Sequence, residues 1–318
     1  MNKKYLKILC DPKTGEDLEL SVEKEINDDI LEGFLVSPTN KYRISNGIPR
    51  FVVDEGYSDN FGWQWNKWAK IQFENQNIGK PMEGHTSKMF YTITQFNNEE
   101  LRGKTVLDIG CGSGRFMDLL SEIDVDVIGI DYSSAIDVAK ANLNGKNSLF
   151  IQGDALQLPF KPNSIDYAYS IGVLHHTPDP QKGVQEVFNV LKKDGVFAIS
   201  VYSKESSYNF LSVHIWRAIF KFIWPVFKHY PPFIYSRIFG TLNHFLGKIN
   251  RYLTYPIKLF FPTIVLKDLK WSILDTFDSI TTSYQSGHTI YEVFQWFKLS
   301  GFKEIEPGNW RVNLIGKK

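Results

Sequence analysis

The chain has 318 residues, a formal net charge of +1 at pH 7 and a charged fraction of 22%. These values allow one large core with appendages and are typical of a soluble enzyme. Met1-Asn-Lys-Lys4 is not followed by the apolar stretch of a secretion signal. Two cysteines make a disulfide framework implausible, which excludes the disulfide-rich secreted class and predicts a reducing, cytoplasmic location.

Residues 1–56 are rich in charge and in short strand signals, which predict a small β module. Cys10-Asp-Pro-Lys13 and Ser37-Pro-Thr-Asn40 occupy the places of two Cys-x-x-Cys knuckles, so the segment resembles a zinc ribbon. The first knuckle keeps one sulfur and the second keeps none. Because a structural zinc site needs four thiolate or imidazole ligands, we expect no metal here.

The aromatic cluster Phe61-Gly-Trp-Gln-Trp-Asn-Lys-Trp68 follows on a predicted helix. One interpretation is ordinary core packing, because aromatic helices are commonly buried. The other is a helix that covers a bound ligand, since the polar Gln64 stands among the rings. Both interpretations stay open.

The stretch Val106-Leu-Asp-Ile-Gly-Cys-Gly-Ser-Gly-Arg-Phe116 is a hydrophobic strand followed by a loop with glycine at every second position. Gly110, Gly112 and Gly114 permit positive φ and close approach of the backbone to a ligand, and a helix then begins. The third glycine comes one residue earlier than in the dinucleotide pattern G-x-G-x-x-G, and Asp108 precedes the first. A nicotinamide cofactor is therefore disfavoured.

Three further strands end in residues suited to a nucleoside. Val127-Ile-Gly-Ile-Asp131 ends in a carboxylate that can bind a ribose diol, and Tyr132 can stack on adenine. The next strand ends at Asp154, which can accept from an adenine amino group, and the amide of Ala155 can donate to the ring. A fourth strand ends at Ser170, so four strand ends are predicted to converge on one crevice.

The motifs V-L-D-I-G-C-G-S-G, G-I-D-Y, G-D-A-x-x-L-P-F and V-L-H-H occur in this order. Together they resemble the class I S-adenosylmethionine-dependent methyltransferases over about residues 59–202 and 284–302. The resemblance implies an enzyme that moves a methyl group from S-adenosylmethionine. Residues 1–56 are similar to the zinc-ribbon-like segment that precedes some bacterial members, with its ligands lost. A similar F-G-x-Q-W segment lies over the cofactor in the family.

The resemblance also implies the roles of individual residues. The glycine loop is expected to receive the methionine end of the cofactor, Asp131 the ribose, and Asp154 with Ala155 the adenine. Asp108 is expected to order the loop or to meet the amino group. The expected cofactor-binding residues are Asp108, Gly110, Cys111, Gly112, Gly114, Asp131, Tyr132, Asp154, Ala155, Ser170 and Gln64.

Three histidines are candidates for a general base. His175 and His176 lie just beyond the fourth strand, where the methyl acceptor is expected, and His288 precedes the C-terminal helix. A histidine at a strand end more often satisfies a backbone carbonyl than abstracts a proton, so one of the pair is expected to be structural. Positioning accounts for most of the barrier lowering, so the reaction does not depend on an obvious base.

Residues 203–280 are predicted to form an inserted helical cap. Between Ser206 and Lys267 there is no acid, but there are eight Lys or Arg residues and sixteen aromatic residues. Arg217, Lys221 and Pro225 interrupt the apolar stretch from 210 to 227, so we expect it to cap rather than span a membrane.

A basic amphipathic helix is predicted within this cap. Its basic face carries Arg237, Thr241, His244, Lys248 and Arg251, and its apolar face carries Ile238, Leu242, Phe245 and Ile249. In the favoured interpretation a lid packs its apolar face on the catalytic domain and leaves a basic stripe in solvent. In the alternative, residues 206–267 make reversible, salt-sensitive contact with an anionic membrane, a lipid-linked substrate or another anionic substrate.

Several acceptors are disfavoured by the sequence. Methylation at C5 of cytosine needs a cysteine nucleophile, and Cys10 and the loop residue Cys111 are the two cysteines of the chain. Amino-methylating DNA enzymes carry an Asn/Asp-Pro-Pro-aromatic turn where this chain has Ser170-Ile-Gly-Val. We therefore expect a small-molecule acceptor that is hydrophobic, lipid-linked or a sugar nucleotide. Nucleic acid is a less favoured partner, and the alternatives are an RNA methyltransferase that uses the basic cap and a non-catalytic nucleoside-binding module.

The predicted fold class is α/β, a seven-stranded Rossmann-like methyltransferase sheet with a small N-terminal β module and an inserted helical cap. Five parallel strands are expected, followed by an antiparallel hairpin near residues 302–315. The methyltransferase domain is assigned to residues 57–202 and 281–318, with the module at 1–56 and the cap at 203–280.

Overall fold

The protein is described by a computed structural model that covers residues 1–52, 58–143, 148–207 and 210–318, without the side chain of Arg251. The predicted boundary between residues 56 and 57 lies outside the described residues. Strands alternate with helices along the middle of the chain, which confirms the α/β class.

The strands are β1 (Glu19–Ile26), β2 (Asp29–Val36), β3 (Lys41–Ser45), β4 (Ile48–Arg50), β5 (Thr105–Ile109), β6 (Asp126–Asp131), β7 (Ser148–Gln152), β8 (Ile165–Ile171), β9 (Leu191–Ser200), β10 (Lys303–Pro307) and β11 (Asn313–Lys317). The helices are α1 (Asp59–Lys67), α2 (His85–Thr94), α3 (Asn98–Leu101), α4 (Arg115–Leu120), α5 (Ala135–Asn142), α6 (Pro180–Val190), α7 (Leu211–Phe227), α8 (Tyr230–Ile249), α9 (Thr254–Phe260), α10 (Leu269–Thr281) and α11 (Ile290–Ser300).

Eleven strands of the described residues form one sheet in the order β1-β2-β3-β4-β7-β6-β5-β8-β9-β11-β10. The expected five parallel strands, β5 to β9, and the antiparallel hairpin of β10 and β11 are confirmed. The prediction of seven strands is wrong. The strands of the N-terminal module continue the sheet, because β4 pairs in parallel with β7 at Arg50 and Gln152.

Helices cover both faces of the parallel strands, which explains why those strands are almost continuously apolar. Along β5 the side chains alternate between two hydrophobic cores. Leu107 and Ile109 belong to the core beneath α6 and α11, and Val106 belongs to the core beneath α2, α4 and α5. The helices lie on the faces of the sheet, so the loops beyond the carboxyl ends of the strands are available for a site.

The N-terminal module is organised around the buried carboxylate of Asp11. The Asp11 oxygens accept hydrogen bonds from Ser37 Oγ at 2.5 Å, Asn40 Nδ2 at 2.8 Å and Tyr42 Oη at 2.7 Å. Burial opposes ionisation, but these hydrogen bonds lower the pKa of Asp11 to about 2. A carboxylate therefore links the two segments that the knuckles would join, and the expectation of no metal stays a prediction.

The insertion forms α7 to α10, and both α7 and α8 pack on α10. The expected orientation of the basic amphipathic helix is wrong. The apolar side chains of Ile238 and Ile249 are 56% and 76% exposed, whereas Asn243 and His244 are buried against α10. The reason is polar pairing on the inner side, where His244 Nδ1 lies 3.2 Å from Ser272 Oγ.

Within the described ranges, no helix is both long enough and apolar enough to cross a bilayer.

Candidate functional site

A cavity of about 420 Å³ opens at the carboxyl edge of the parallel strands. One wall, here called the sheet wall, consists of the loops after β5, β6, β7 and β8. The facing wall, here called the helical wall, consists of side chains from α1 and α10. Such a crevice outside the carboxyl ends of parallel strands is where open α/β sheets bind their ligands.

The glycine loop forms the centre of the sheet wall. Gly110, Gly112 and Gly114 have φ of 74°, 55° and 89°, a conformation that favours glycine. A Cβ on Gly110 would lie 2.3 Å from the Val173 side chain, so the backbone could not keep this path with a larger residue. Gly110, Cys111 and Gly112 line the cavity, whereas Gly114 turns the chain into α4 behind it.

Asp131 lies at the end of β6 on the same wall and holds the loop in place. Its Oδ2 accepts the Gly112 amide at 2.9 Å, and its Oδ1 accepts the amide of Ser133 at 2.9 Å and the hydroxyl of Ser133 at 2.7 Å. Burial raises the pKa of Asp131, and the bonds from Ser133 and Gly112 oppose that shift. Tyr132 and Ala155 line the cavity beside it, and their expected contacts with adenine stay predictions.

Besides Gly114, three predicted cofactor residues lie outside the cavity lining. Asp108 is buried behind the glycine loop, and burial raises its pKa to about 8. The neighbouring Tyr169 hydroxyl opposes that shift, and both expected roles of Asp108 stay predictions. Asp154 accepts the Leu156 amide at 2.8 Å within its own turn, and Ser170 is completely buried at the end of β8.

The side chains of helix α1 divide between the cavity wall and a packed aromatic cluster, and the role of α1 in covering a ligand stays a prediction. Phe61, Gln64 and Trp65 line the cavity, whereas Trp63 stacks on His229 with 4.9 Å between ring centroids. Gln64 is buried, and its Oε1 has no hydrogen-bond partner within the described part of the chain. An unpaired buried acceptor on a cavity wall fits a ligand that brings a donor, such as an ammonium group.

The three candidate histidines have different surroundings. His176 lines the cavity, and its Nδ1 lies 2.9 Å from the carbonyl of Tyr284, so the Nδ1–H tautomer leaves Nε2 as an acceptor. Burial lowers the pKa of His176 to about 4, which keeps the ring neutral. His175 is fully buried against Tyr202, and His288 pairs with Ser286 Oγ at 2.7 Å. Neither of these two lines the cavity.

Two acids that the sequence analysis missed lie on the helical wall. Asp275 and Asp278 of α10 are three residues apart, which places both on the helix face that lines the cavity. The available signal was a pair of acids in an otherwise uncharged segment, Trp271 to Ile280, soon after a region without acids. It was missed because the segment was assigned to a cap.

The electrostatics of the helical wall distinguish it from the sheet wall. Burial and the neighbouring Asp278 raise the pKa of Asp275 to about 7. Burial raises the pKa of Asp278 to about 6, against the opposing charge of Arg217 and hydrogen bonds from Gln64 and Tyr202. Acids with pKa values this close to neutrality are suited to accept a proton.

The fold and this cavity define an α/β domain with a nucleoside-type pocket. Residues 107–199 match the family model described as a methyltransferase domain. The chain therefore carries a methyltransferase domain, of the class whose methyl donor is S-adenosylmethionine. The cavity walls fit that donor, because the glycine backbone, Asp131 and the unpaired Gln64 oxygen face one space.

Curated relatives with different acceptors share this domain. The chain is 31% identical over 147 residues to "Probable tRNA methyltransferase 9B" of Bos taurus, covering 43% of this chain and 31% of the relative. It is 33% identical to "Sterol 24-C-methyltransferase erg6" of Aspergillus fumigatus, covering 34% and 30%. It is 40% identical to "Demethylmenaquinone methyltransferase" of Lactococcus lactis, covering 30% and 41%. The chain thus matches about a third of the length of these relatives, and the matches leave the acceptor open.

Proposed function

We propose that the chain transfers a methyl group from S-adenosylmethionine to a small hydrophobic or lipid-linked acceptor. The observation that carries this proposal is the pairing of two different walls across one cavity. The sheet wall supplies backbone and a carboxylate suited to a nucleoside, and the helical wall supplies Asp275 and Asp278 among apolar and aromatic side chains.

The donor would be held by the sheet wall together with Gln64 of the helical wall. When bound, S-adenosylmethionine supplies an electrophilic methyl group on a positively charged sulfur. The glycine loop gives the methionine end close access to backbone amides, and Asp131 accepts from the ribose. Gln64 Oε1 is the acceptor available to the amino group, because it is buried on the wall without a partner in the described residues.

The acceptor would be positioned by the helical wall. Asp278 is oriented by hydrogen bonds from Gln64 and Tyr202, and its raised pKa suits it to take a proton from an O–H or N–H group. Asp275 lies one helical turn away and shares the same face. Trp271 and Leu274 beside them give an apolar surface for the rest of the acceptor.

The charge of this wall argues against two other acceptor classes. Arg115 also lines the cavity, but the carboxylates of Asp275 and Asp278 lie beside it and would repel a phosphate at the reacting end. Sugar nucleotides therefore rank below hydrophobic acceptors. RNA is disfavoured because α8, which carries the basic face, packs on the side of α10 away from the cavity. A non-catalytic nucleoside-binding module gives no reason for paired acids on the acceptor side.

The test is incorporation of labelled methyl from S-adenosylmethionine. Purified protein is incubated separately with a total lipid extract, a water-soluble metabolite extract and total tRNA, with Asp278→Asn as the matched variant. We expect label in the lipid fraction with the wild-type protein and at least a hundredfold less with the variant. Label in tRNA would replace this proposal with the RNA alternative. Donor binding by calorimetry with no label in any fraction would favour the binding module.

A further inference from the structure

Helix α8 is amphipathic in the reverse sense for a helix on a soluble surface. Four of the residues that it buries are small or polar, namely Ser236, Gly240, Asn243 and His244, and Tyr235 packs beside them with Phe220 and Ile280. The residues it turns outward are apolar and exposed, namely Tyr230, Ile234, Ile238, Leu242, Phe245 and Ile249. A helix in water normally buries the second group and exposes the first.

Neighbouring helices repeat this arrangement. Helix α7 exposes Leu211, Ile215, Ile219, Phe222 and Val226, which follow one another at helical spacing along a single face. Helix α9 exposes Tyr255, Leu259 and Phe260. Of the 26 large hydrophobic side chains exposed among the described residues, 18 lie between residues 210 and 260. Singly scattered apolar side chains are ordinary on a protein surface, but such a concentration marks an interaction site.

The orientation is fixed by polar contacts on the inner side. Arg217 of α7 donates through Nε and Nη2 to the carbonyl of Ser279, at 2.8 and 2.6 Å, near the end of α10. Tyr235 of α8 is buried and donates to the carbonyl of Pro262 at 3.1 Å. Turning either helix over would leave the carbonyls of Ser279 and Pro262 without these donors, so the contacts hold the apolar faces outward.

The charge around the apolar faces indicates what covers them. Lys221, Lys228, Arg237 and Lys248 are exposed beside these side chains, and no acid occurs between residues 206 and 267. A symmetric contact with a second copy would bring this cationic region against itself. An anionic lipid surface instead matches both features, with headgroups for the cations and an apolar layer for the side chains.

We propose that the outer face of α7, α8 and α9 docks the protein on an anionic lipid bilayer. Aromatic and aliphatic side chains enter the boundary between headgroups and acyl chains, and the lysines contact the headgroups. Because α10 separates this face from the cavity, docking places the acceptor wall one helix layer away from the membrane. The proposal does not rest on methyl transfer, since docking can be measured without turnover.

The test is flotation with phosphatidylcholine vesicles that contain or lack phosphatidylglycerol. We expect binding to the anionic vesicles at low salt and its loss at high salt, since about four exposed cations contribute. The double variant Phe222→Asp with Phe245→Asp should lower binding at least tenfold. The matched control is Leu299→Asp with Ile78→Asp, whose positions are 69% and 70% exposed outside the insertion. That control should bind like the wild type.

A variant that removes positive charge measures the contribution of headgroup contact separately from that of apolar insertion. Lys221→Gln with Lys248→Gln should weaken binding to anionic vesicles about 10- to 30-fold, and Lys104→Gln with Lys193→Gln should not. Circular dichroism and calorimetry with S-adenosylmethionine check that the variants fold. Each of the following results would overturn the proposal: no binding to anionic vesicles, equal binding by the apolar double variant, or a stable wild-type dimer that the variant dissociates. Capture of tRNA in place of vesicles would also overturn it.

Discussion

The two walls of the cavity differ in how they are built. On the sheet wall, each functional group follows directly from a strand end, and the glycine loop and Asp131 are tied together by the Gly112 amide. On the helical wall, Asp275 and Asp278 come from an insertion that reaches the cavity through the packing of α10 against α1.

The proposed function assigns different roles to the two walls. The donor would be held by local backbone geometry, which a short motif specifies, together with Gln64. The acceptor would be positioned by side chains of the insertion, which no short motif specifies.

The strongest test of the division removes the proton acceptor from the helical wall. Asp278→Asn keeps the size and the hydrogen-bonding shape but cannot accept a proton at neutral pH. We expect the rate of labelled-methyl incorporation into a total lipid extract to fall about 10²- to 10⁴-fold. Calorimetry should show donor affinity changed by less than about threefold, because the sheet wall is intact and the amide oxygen of the substituted side chain can still accept from Gln64.

Two further variants serve as comparisons for Asp278→Asn. Comparison of Asp275→Asn with Asp278→Asn shows which carboxylate takes the proton, since the variant with the larger loss of rate identifies it. Glu304→Gln, on an exposed edge strand, should leave the rate unchanged. A rate for both aspartate variants within threefold of the wild type would show that the helical wall does not take part in proton transfer.

The second test perturbs the sheet wall. Asp131→Ala removes the proposed ribose acceptor and the group that receives the Gly112 amide. Hydrogen bonds to a charged group are worth about 1.5–3 kcal/mol, so donor affinity should fall about 10- to 100-fold by calorimetry. Ser133→Ala is the control for loop support, because it removes one bond to Asp131 and leaves the carboxylate in place. Unchanged affinity in Asp131→Ala would refute the ribose assignment.

Much of the sheet and of the donor side could be predicted from the sequence. A buried strand that ends in glycine or aspartate can be recognised from a few consecutive residues. The order of these motifs along the chain predicts the parallel sheet. The number of strands could not be predicted in this way. Whether the N-terminal module continues the sheet depends on the pairing of Arg50 with Gln152, a contact between residues about a hundred positions apart.

The insertion was predictable in its pattern but not in its orientation. Helical periodicity identifies the two faces of α8, but it does not tell which face turns inward. The hydrogen-bond partners of the inner face, such as Ser272 for His244, lie on another helix. The same packing brings Asp275 and Asp278 to the cavity, so neither acid could be recognised as a site residue before α10 was placed.

The smallest expected effect concerns His176, which the sequence analysis placed where the base would stand. Its pKa of about 4 makes it a weaker proton acceptor at neutral pH than carboxyl groups with pKa values of about 6 and 7. We expect His176→Gln to lower methyl incorporation into the lipid extract less than about tenfold. The rate should rise with pH through about 6 to 7 as the carboxyl groups lose their protons, with the same midpoint in wild type and variant. Loss of that pH dependence in His176→Gln would show that His176, on the sheet wall, is the base. That result would contradict the proposed division between the two walls.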